Sequence, residues 1–450
     1  MTELRQLAGF AVKFRLEQAP EEVVKAAKYC VLDSIGSALG AVRYEEIPEL
    51  CRVLRQWCTA PARRTASVWG QGFSLDVFQA LLLNGMMGHA LELDDVHTGS
   101  KSHVGAVVVE TAWTLAEALG ESGGRLLEAV ITGYEVMARV GMAMDVVSNR
   151  KRGWHGTGII GTFGAAAAAG HLLGLNEDQM VSALGMAGTQ SSGLWAFLEE
   201  GATCKKLHPA RAAVNGLTAA VLAKGGMTGP ERILDARDGG LYRAVADSFD
   251  MKILVKGLGT GYEILKIDKK PYPCCRTTHH AIDGALMLRD RADPEQVERI
   301  LVETYEVGVL QCGSQGYPSS AVEAKFSIPY TVAAALVRGN VSLAEFAPEV
   351  IGDPLIQSLA DRVQVTADPL FTGRYPDRWG CRVRLIDKDG SELAVQVDDM
   401  SGSVAKPLTE EQEKRKFEGL AGEGIGAERS RKLLRTIMEI EKLDVLKQLL

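Results

Sequence analysis

The sequence predicts a mainly α protein: a large all-helical domain and a smaller α+β domain with an antiparallel sheet. Three observations carry this reading. Apolar residues recur at helical spacing from the N-terminus to about residue 265, then segments alternate apolar and polar, and from residue 405 a charged amphipathic helical pattern returns. A chain of 450 residues also exceeds the usual size of a single core, so two domains are expected.

Taken in order, Val23, Val24, Ala27, Val31, Leu32 and Ile35 make one helical stripe, and Val108, Ala112, Leu115 and Leu119 another. GTFGAAAAAGHLLGL at 161–175 and AAVNGLTAAVLAKGG at 212–226 carry little side-chain volume, so these helices can approach closely at the centre of a bundle. Beyond residue 265, ERILVETYEV at 298–307 alternates like a half-buried strand. CRVRLID and ELAVQVD do the same on either side of Lys388, and Asp389-Gly390 suits a hairpin turn. Helical segments at 278–288 and 329–337 accompany them, which makes the second domain α+β. These changes of pattern set boundaries of 1–265 with 402–450 for the helical domain and 266–401 for the α+β domain.

The net charge of −7, with Lys and Arg dispersed, gives no basic footprint for nucleic acid, so an anionic ligand must meet a locally positive pocket. Eight cysteines at positions 30, 51, 58, 204, 274, 275, 312 and 381 form no C-x-x-C pair, and the first thirty residues resemble no secretory signal. Reduced thiols in a cytoplasmic protein are therefore expected. The most apolar run, 159–170, falls well short of the roughly 20 residues that span a bilayer, so no membrane segment is expected.

The segment NGMMGHALELDDVHTGSKSH at 84–103 holds three of the eight histidines, His89, His97 and His103, with Glu92, Asp94, Asp95 and Lys101. A buried charge must be paired or do chemistry, and histidine titrates nearest neutrality. Three other junctions place histidines and cations beside glycine or proline. They are His155 in GWHG, the run Lys205-Lys206-Leu207-His208-Pro209, and KPYPCCRTTHH, which carries Lys270, Tyr272, Cys275, Arg276, His279 and His280. A pocket shared by such groups suits a small polycarboxylate, because Lys and Arg hold carboxylates while neutral histidines exchange protons beside them. Lysine and imidazolium could also stabilise a developing enolate.

Competing motifs are weaker. Gly156-x-Gly158-x-x-Gly161 follows polar, basic residues where a dinucleotide fold needs a buried strand. His89, Asp94, Asp95, His97 and His103 could ligate Mn, Fe or Zn by type, without the paired spacing of H-E-x-x-H. Cys275 with His279 is spaced for a nucleophile pair. No Walker lysine motif, zinc-finger spacing or G-x-S-x-G elbow is present.

HALELDDVH with His103, GWHGTGIIGTFGAAAAAGHLLGL, KKLHPARAAVNGLTAAVLAKGGMTGPERIL, KPYPCCRTTHHAIDGAL and EAKFSIPYTVAAAL follow one another in order. This ordered set resembles the MmgE/PrpD family of 2-methylcitrate dehydratases and cis-aconitate decarboxylases, whose members act on citrate-like acids without an iron-sulfur cluster. The resemblance implies a helical domain built from both chain ends, capped by an α+β lid, and a homodimer. It also implies an active site between the domains, lined by Asp94 or Asp95, His103, His155, Lys205 and His279. Lys205 matches the family's K-x-L-H spacing and Lys206 does not. Where many members read D-D-T, H-P-S and a glycine, this chain has Asp94-Asp95-Val96, His103-Val104-Gly105 and Ala210. Loss of the threonine hydroxyl removes one contact that His97 could replace, so substrate preference can differ from both named activities. The iminodisuccinate epimerases share the fold.

The resulting expectation is a cofactor-independent lyase, with no metal, acting on a small citrate-like di- or tricarboxylate. Asp94, His103, His155, Lys205 and His279 are its catalytic groups, and Asp95, His97, Lys101, Lys206, His208, Tyr272 and Arg276 its binding groups. An epimerase of an imino-dicarboxylate and a non-catalytic carboxylate-binding protein are the alternatives.

Overall fold

Helices account for 58% of the chain and strands for 10%. The computed structural model describes residues 1–57, 63–314, 316–447 and 449–450; Cys58 lies outside them. The chain divides into one unit of Met1–Trp195, Cys204–Ile267 and Thr409–Leu450, and a second of Ala196–Thr203 and Asp268–Leu408.

The first unit contains α1 (Glu3–Lys13), α2 (Glu21–Gly40), α3 (Ile47–Trp57), α4 (Val77–Ala90), α5 (Gly105–Leu119), α6 (Gly123–Met142), α7 (Val146–Lys151), α8 (Gly156–Leu172), α9 (Glu177–Gly188), α10 (Leu207–Lys224) and α11 (Leu241–Val245). Helix α8 is the hub. Every residue from Thr157 to Leu172 is buried, and α5, α6, α9 and α10 surround it. Small residues make this possible. A Cβ on Gly164 would lie 2.7 Å from Met137 Cβ of α6, and one on Gly216 of α10 would lie 2.6 Å from Thr162 O of α8. The same logic places Ala210 against α4, where a Cβ on Gly85 would come 2.8 Å from Ala210 Cα. Larger side chains at these contacts would overpack the core, at about 1–3 kcal/mol each.

A short hairpin, β1 (Thr65–Val68) and β2 (Phe73–Asp76), interrupts the expected run of helices. Each strand has four residues, too few for a period of 2 to stand out against the neighbouring helical pattern, and Gly70 and Gly72 turn the chain at φ +69° and +71°. At the C-terminal end, Glu410–Ile425 begins with a Thr409 capping box and packs with Ala427–Met438 on α2.

In the second unit, α12 (His279–Arg289) packs on a sheet of β3 (Val297–Thr304), β4 (Val363–Ala367), β5 (Cys381–Asp387) and β6 (Glu392–Val397), in the order β4-β3-β5-β6. The Asp389-Gly390 turn joins β5 and β6, with Gly390 at φ +85°. Three strands are antiparallel as expected, while β4 joins β3 in parallel, so the sheet is mixed. Alternation reveals which face a strand buries and carries no information on its direction. Among the described residues no helix is long and apolar enough to cross a membrane.

Candidate active site

Helix α4 delivers the first histidine. The Asp76 side chain caps its N-terminus, accepting from Phe78 N and Gln79 N. Its middle is anchored by Asn84, which accepts from Trp69 N at 3.0 Å and donates to Ser67 O at 3.0 Å and Thr114 Oγ1 at 3.2 Å. After Ala90 the chain bends through Glu92 at φ +59°, and Lys101 at φ +53° sits in the turn before α5. Left-handed backbone at two non-glycine residues costs about 1 kcal/mol or more each, so the surrounding structure must hold this bend.

Asp95 helps to hold it. Its Oδ1 accepts from Gly105 N at 2.9 Å, placing a carboxylate at the N-terminus of α5, and its Oδ2 accepts from Tyr134 OH at 2.7 Å. Burial first, then the Asp95 charge, push the Tyr134 phenol well above its ordinary range.

Between these anchors, the Asp94 carboxylate lies wholly buried with Oδ2 2.8 Å from His89 Nδ1 and 3.0 Å from His103 Nδ1. Burial opposes its ionisation, but the two imidazoles more than offset that and hold its carboxyl well below the usual range. Both Nδ1 atoms are thus donors. His103 Nδ1 also lies 3.1 Å from the acceptor Asp95 O, which fixes the same tautomer and leaves Nε2 as the basic nitrogen. On the other side of His89, Nε2 accepts from Lys205 Nζ at 2.7 Å, and Lys205 Nζ donates to Glu92 Oε1 at 2.5 Å. The chain Glu92–Lys205–His89–Asp94–His103 is therefore one continuous hydrogen-bonded run.

His155 immediately precedes α8, its side chain makes no capping bond to the helix, and its ring stacks 6.4 Å from that of His89. Its Nδ1 lies 3.0 Å from His208 Nδ1, and Trp195 meets it edge-on at 5.3 Å. Burial, then the Lys205 charge, lower His155 well below its ordinary value, and the same causes bring His208 down to about 4. Both are neutral near pH 7, so one Nδ1 donates and the other accepts. Gly158 and Gly161 of α8 serve packing, and a Cβ on Gly161 would lie 2.9 Å from Ala212 Cβ. A Cβ on Gly158 would lie 2.2 Å from Ser192 O, which accounts for the G-x-G-x-x-G match without a nucleotide.

The remaining residues of this unit are engaged elsewhere. Lys206 Nζ donates to Glu45 at 2.8 Å and pairs with Glu46 at 3.0 Å. His97 Nδ1 accepts from Ser100 N at 3.1 Å and its Nε2 faces Glu263 Oε2 at 3.3 Å, part of a buried network with Arg139 and Glu135.

The second unit holds its own polar cluster. His279 opens α12 and lies wholly buried, with Nε2 donating to Cys274 O at 3.3 Å and Tyr272 edge-on at 5.1 Å. Its Nδ1 has no hydrogen-bond partner among the described residues. Burial, then Lys270 and Arg276, lower it well below its ordinary value. Arg276 donates through Nε to Asp268 at 2.6 Å and stacks 4.3 Å over Trp379, while its Nη1 has no hydrogen-bond partner among the described residues. Tyr272 OH donates to Asp283 at 2.6 Å. Cys275 Sγ accepts from Gln311 Nε2 at 2.9 Å while His279 faces Cys274 O, so a Cys275–His279 hydrogen bond does not form.

Among the described residues, one His/Asp/Glu/Cys group has metal-ligand proximity: His89, Asp94 and His103, with ligand atoms within 4.8 Å. The donor set favours a hydrogen-bonded triad, since both imidazole N–H groups aim at one carboxylate oxygen and the Lys205 ammonium already supplies a fixed cation. His89 and Glu92, which complete this run, were not among the expected catalytic or binding residues. The run of His and Glu in H-x-x-E at the end of α4 could have flagged them by residue type, while the left-handed bend at Glu92, past the helix, is what turns its carboxylate to Lys205.

The model of the MmgE/PrpD N-terminal domain matches residues 5–254, and that of the MmgE/PrpD C-terminal domain matches residues 272–441. The chain is 26% identical to the cis-aconitate decarboxylase of Aspergillus terreus, over 99% of this chain and 94% of that protein. It is 26% identical to the cis-aconitate decarboxylase of Mus musculus, over 97% and 90%. To the 2-methylcitrate dehydratase of Salmonella typhimurium it is 23% identical, over 78% and 75%.

Proposed function

The chain belongs to the MmgE/PrpD family, and from that premise we propose that it is a lyase, a dehydratase or decarboxylase, acting on a small citrate-like di- or tricarboxylate. The observation that carries this reading is the shared Asp94 oxygen. It holds His103 with Nδ1–H inward and Nε2 basic, 3.0 Å from the carboxylate that stabilises the imidazolium once a proton arrives. In the dehydratase form, His103 removes the proton alpha to a substrate carboxylate, Lys205 stabilises the developing negative charge, and a protonated partner assists the leaving hydroxide. The neutral His155–His208 pair suits proton exchange on the substrate, and within the second unit Arg276 suits carboxylate binding and His279 proton exchange. The named acids of the relatives, cis-aconitate and 2-methylcitrate, are the first substrates to try.

A second reading rests on one feature, the presence of two histidine rings, those of His103 and His155, beside that of His89. Two bases can remove and return one proton, the requirement for an epimerase of an imino-dicarboxylate.

Proton NMR in deuterated water of chelator-treated protein with cis-aconitate, 2-methylcitrate, citrate and an aspartate-derived imino diacid decides between them. Loss of water or carbon dioxide from one acid, abolished in His103→Ala and in His279→Ala, is the expected result. Deuterium uptake without elimination would replace the lyase by the epimerase. Full turnover in His103→Ala would overturn the assignment of the base.

A further inference from the structure

Behind the Asp94 triad, six buried side-chain oxygens have no hydrogen-bond partner among the described residues: Asp94 Oδ1, Glu110 Oε1 and Oε2, Asp33 Oδ2, Ser34 Oγ and Ser37 Oγ. Glu110, Asp94, Ser34 and Ser37 are wholly buried, and Asp33 nearly so. They come from α2, α5 and the bend after α4. Buried polar groups rarely remain unpaired, because each costs about 1–3 kcal/mol.

Glu110 is fitted to this place. A Cβ on Gly88 of α4 would lie only 2.1 Å from Glu110 Oε1, so the carboxyl group rests directly on the helix backbone one residue before His89. Ser34 borders the same region, since a Cβ on Gly105 would lie 2.4 Å from Ser34 Oγ and 3.0 Å from Asp95 Oδ1. The charged groups that act on Glu110 are acids, Asp94 and Asp95 in the bend and Asp33 on α2, with the weak acid Tyr134 of α6 bound to Asp95. Their nearby counterparts are Lys416, which donates to Asp33 Oδ1 at 2.7 Å, and His89, which is committed to Asp94. Another buried negative charge, with no donor and beside such acids, would be very costly, so Glu110 carries a proton. The protonated acid then offers one O–H donor to surroundings made of orphaned acceptors and two hydroxyls. The ligand that can satisfy such a mixture of donors and acceptors is water.

We propose that Glu110, Asp33, Ser34, Ser37 and Asp94 line a buried water-binding chamber, in which Glu110 acts as a neutral acid that donates through water to Asp94 Oδ1. Glu110 is a positioning residue. It fixes the second oxygen of Asp94 so that the first stays aligned with His89 and His103, and in this it rests on the reading of His103 as the base. The arrangement also explains Gly88, because any side chain there would displace the Glu110 carboxyl.

The first test needs no substrate, so it stands or falls apart from the lyase reading. Infrared spectra of the protein at about pH 9, where ordinary carboxyl groups are ionised, should show a protonated-acid carbonyl band that disappears in Glu110→Gln. Should that variant fail to fold, glutamate labelled with 13C at the side-chain carboxyl should move the band in the wild-type protein. A high-resolution crystal structure should show ordered water between Glu110 and Asp94 Oδ1. An absent band, or a dry chamber, overturns the proposal. With the substrate in hand, Glu110→Leu should lower kcat about tenfold while KM stays within about twofold, the effect of losing about one hydrogen bond in the transition state. Gly88→Ala should lower kcat similarly alone and add little in the Glu110→Leu background. An unchanged kcat in Glu110→Leu would overturn the positioning role.

Discussion

Replacing Asp94 by Asn keeps the shape of the side chain and removes the charge that His103 needs when it takes a proton. The oxygen shared by the two histidines lies 3.0 Å from His103 Nδ1. At an effective dielectric constant of about 20, a charge pair at that distance is worth about 5 kcal/mol. The Asn carbonyl can still accept a hydrogen bond, which retains part of this, and about 3–4 kcal/mol is lost from the transition state. That corresponds to a fall in kcat/KM of about 10²–10³-fold. The loss should appear mainly in kcat, because Asp94 is wholly buried and its role is to stabilise charge that develops during reaction. The assay is steady-state turnover of Asp94→Asn on the acid found by NMR, with a thermal melt confirming that the variant is folded. A folded variant that keeps more than about a tenth of wild-type kcat would refute the claim that the carboxylate supports the base.

Lys205→Met should abolish measurable turnover and destabilise the fold by about 3–5 kcal/mol, because it leaves Glu92 buried beside His89 without its cation; urea unfolding close to wild type would contradict this. Tyr134→Phe strips Asp95 Oδ2 of its phenol donor and should cost about 1–3 kcal/mol of stability with kcat little changed, so a stability change below about 0.5 kcal/mol would show that Asp95 does not depend on it. Acid should unfold the protein early. His155, His279 and His280 have native pKa values held well below the usual 6.5, and His208 is held at about 4. The unfolded chain therefore binds protons that the native state refuses, and stability present above about pH 6.5 is lost as pH falls towards 4. Asp94, whose native pKa is depressed, adds a further loss only below the ordinary carboxylate range. A melting temperature that stays flat between about pH 7 and 5 would count against neutral buried histidines.

Much of the fold was legible because it depends on patterns that survive in one dimension. The stripe from Val23 to Ile35 does lie in a buried helix, and the alanine-rich stretches do meet, α8 against α10. The Asp389-Gly390 hairpin forms as its turn chemistry requires. The short hairpin β1–β2 and the parallel pairing of β4 were not legible, since one is briefer than the window that periodicity needs and the other is a matter of strand direction. In the candidate site, residue types crowded into 84–103 were a sound signal that charges would meet, and Asp94 with His103 lies at the centre of what they build. Their neighbours divided in a way that spacing could not show. Asp95 is adjacent to Asp94 but turns to Gly105 and Tyr134, and Lys206 is adjacent to Lys205 but turns to Glu45 and Glu46.

By itself, then, the sequence determined the helical architecture, the family and the set of chemically capable side chains, because apolar periodicity, small residues and turn residues act locally along the chain. Only the tertiary structure decided which of those side chains do what. The tautomer of His103, the neutrality of His155 and His208 and the proton on Glu110 all follow from which donors and acceptors are brought within about 3 Å and how much water is excluded there, and residues far apart in the sequence, such as Gly88 and Glu110 or His89 and Lys205, acquire that relation only when the helices pack.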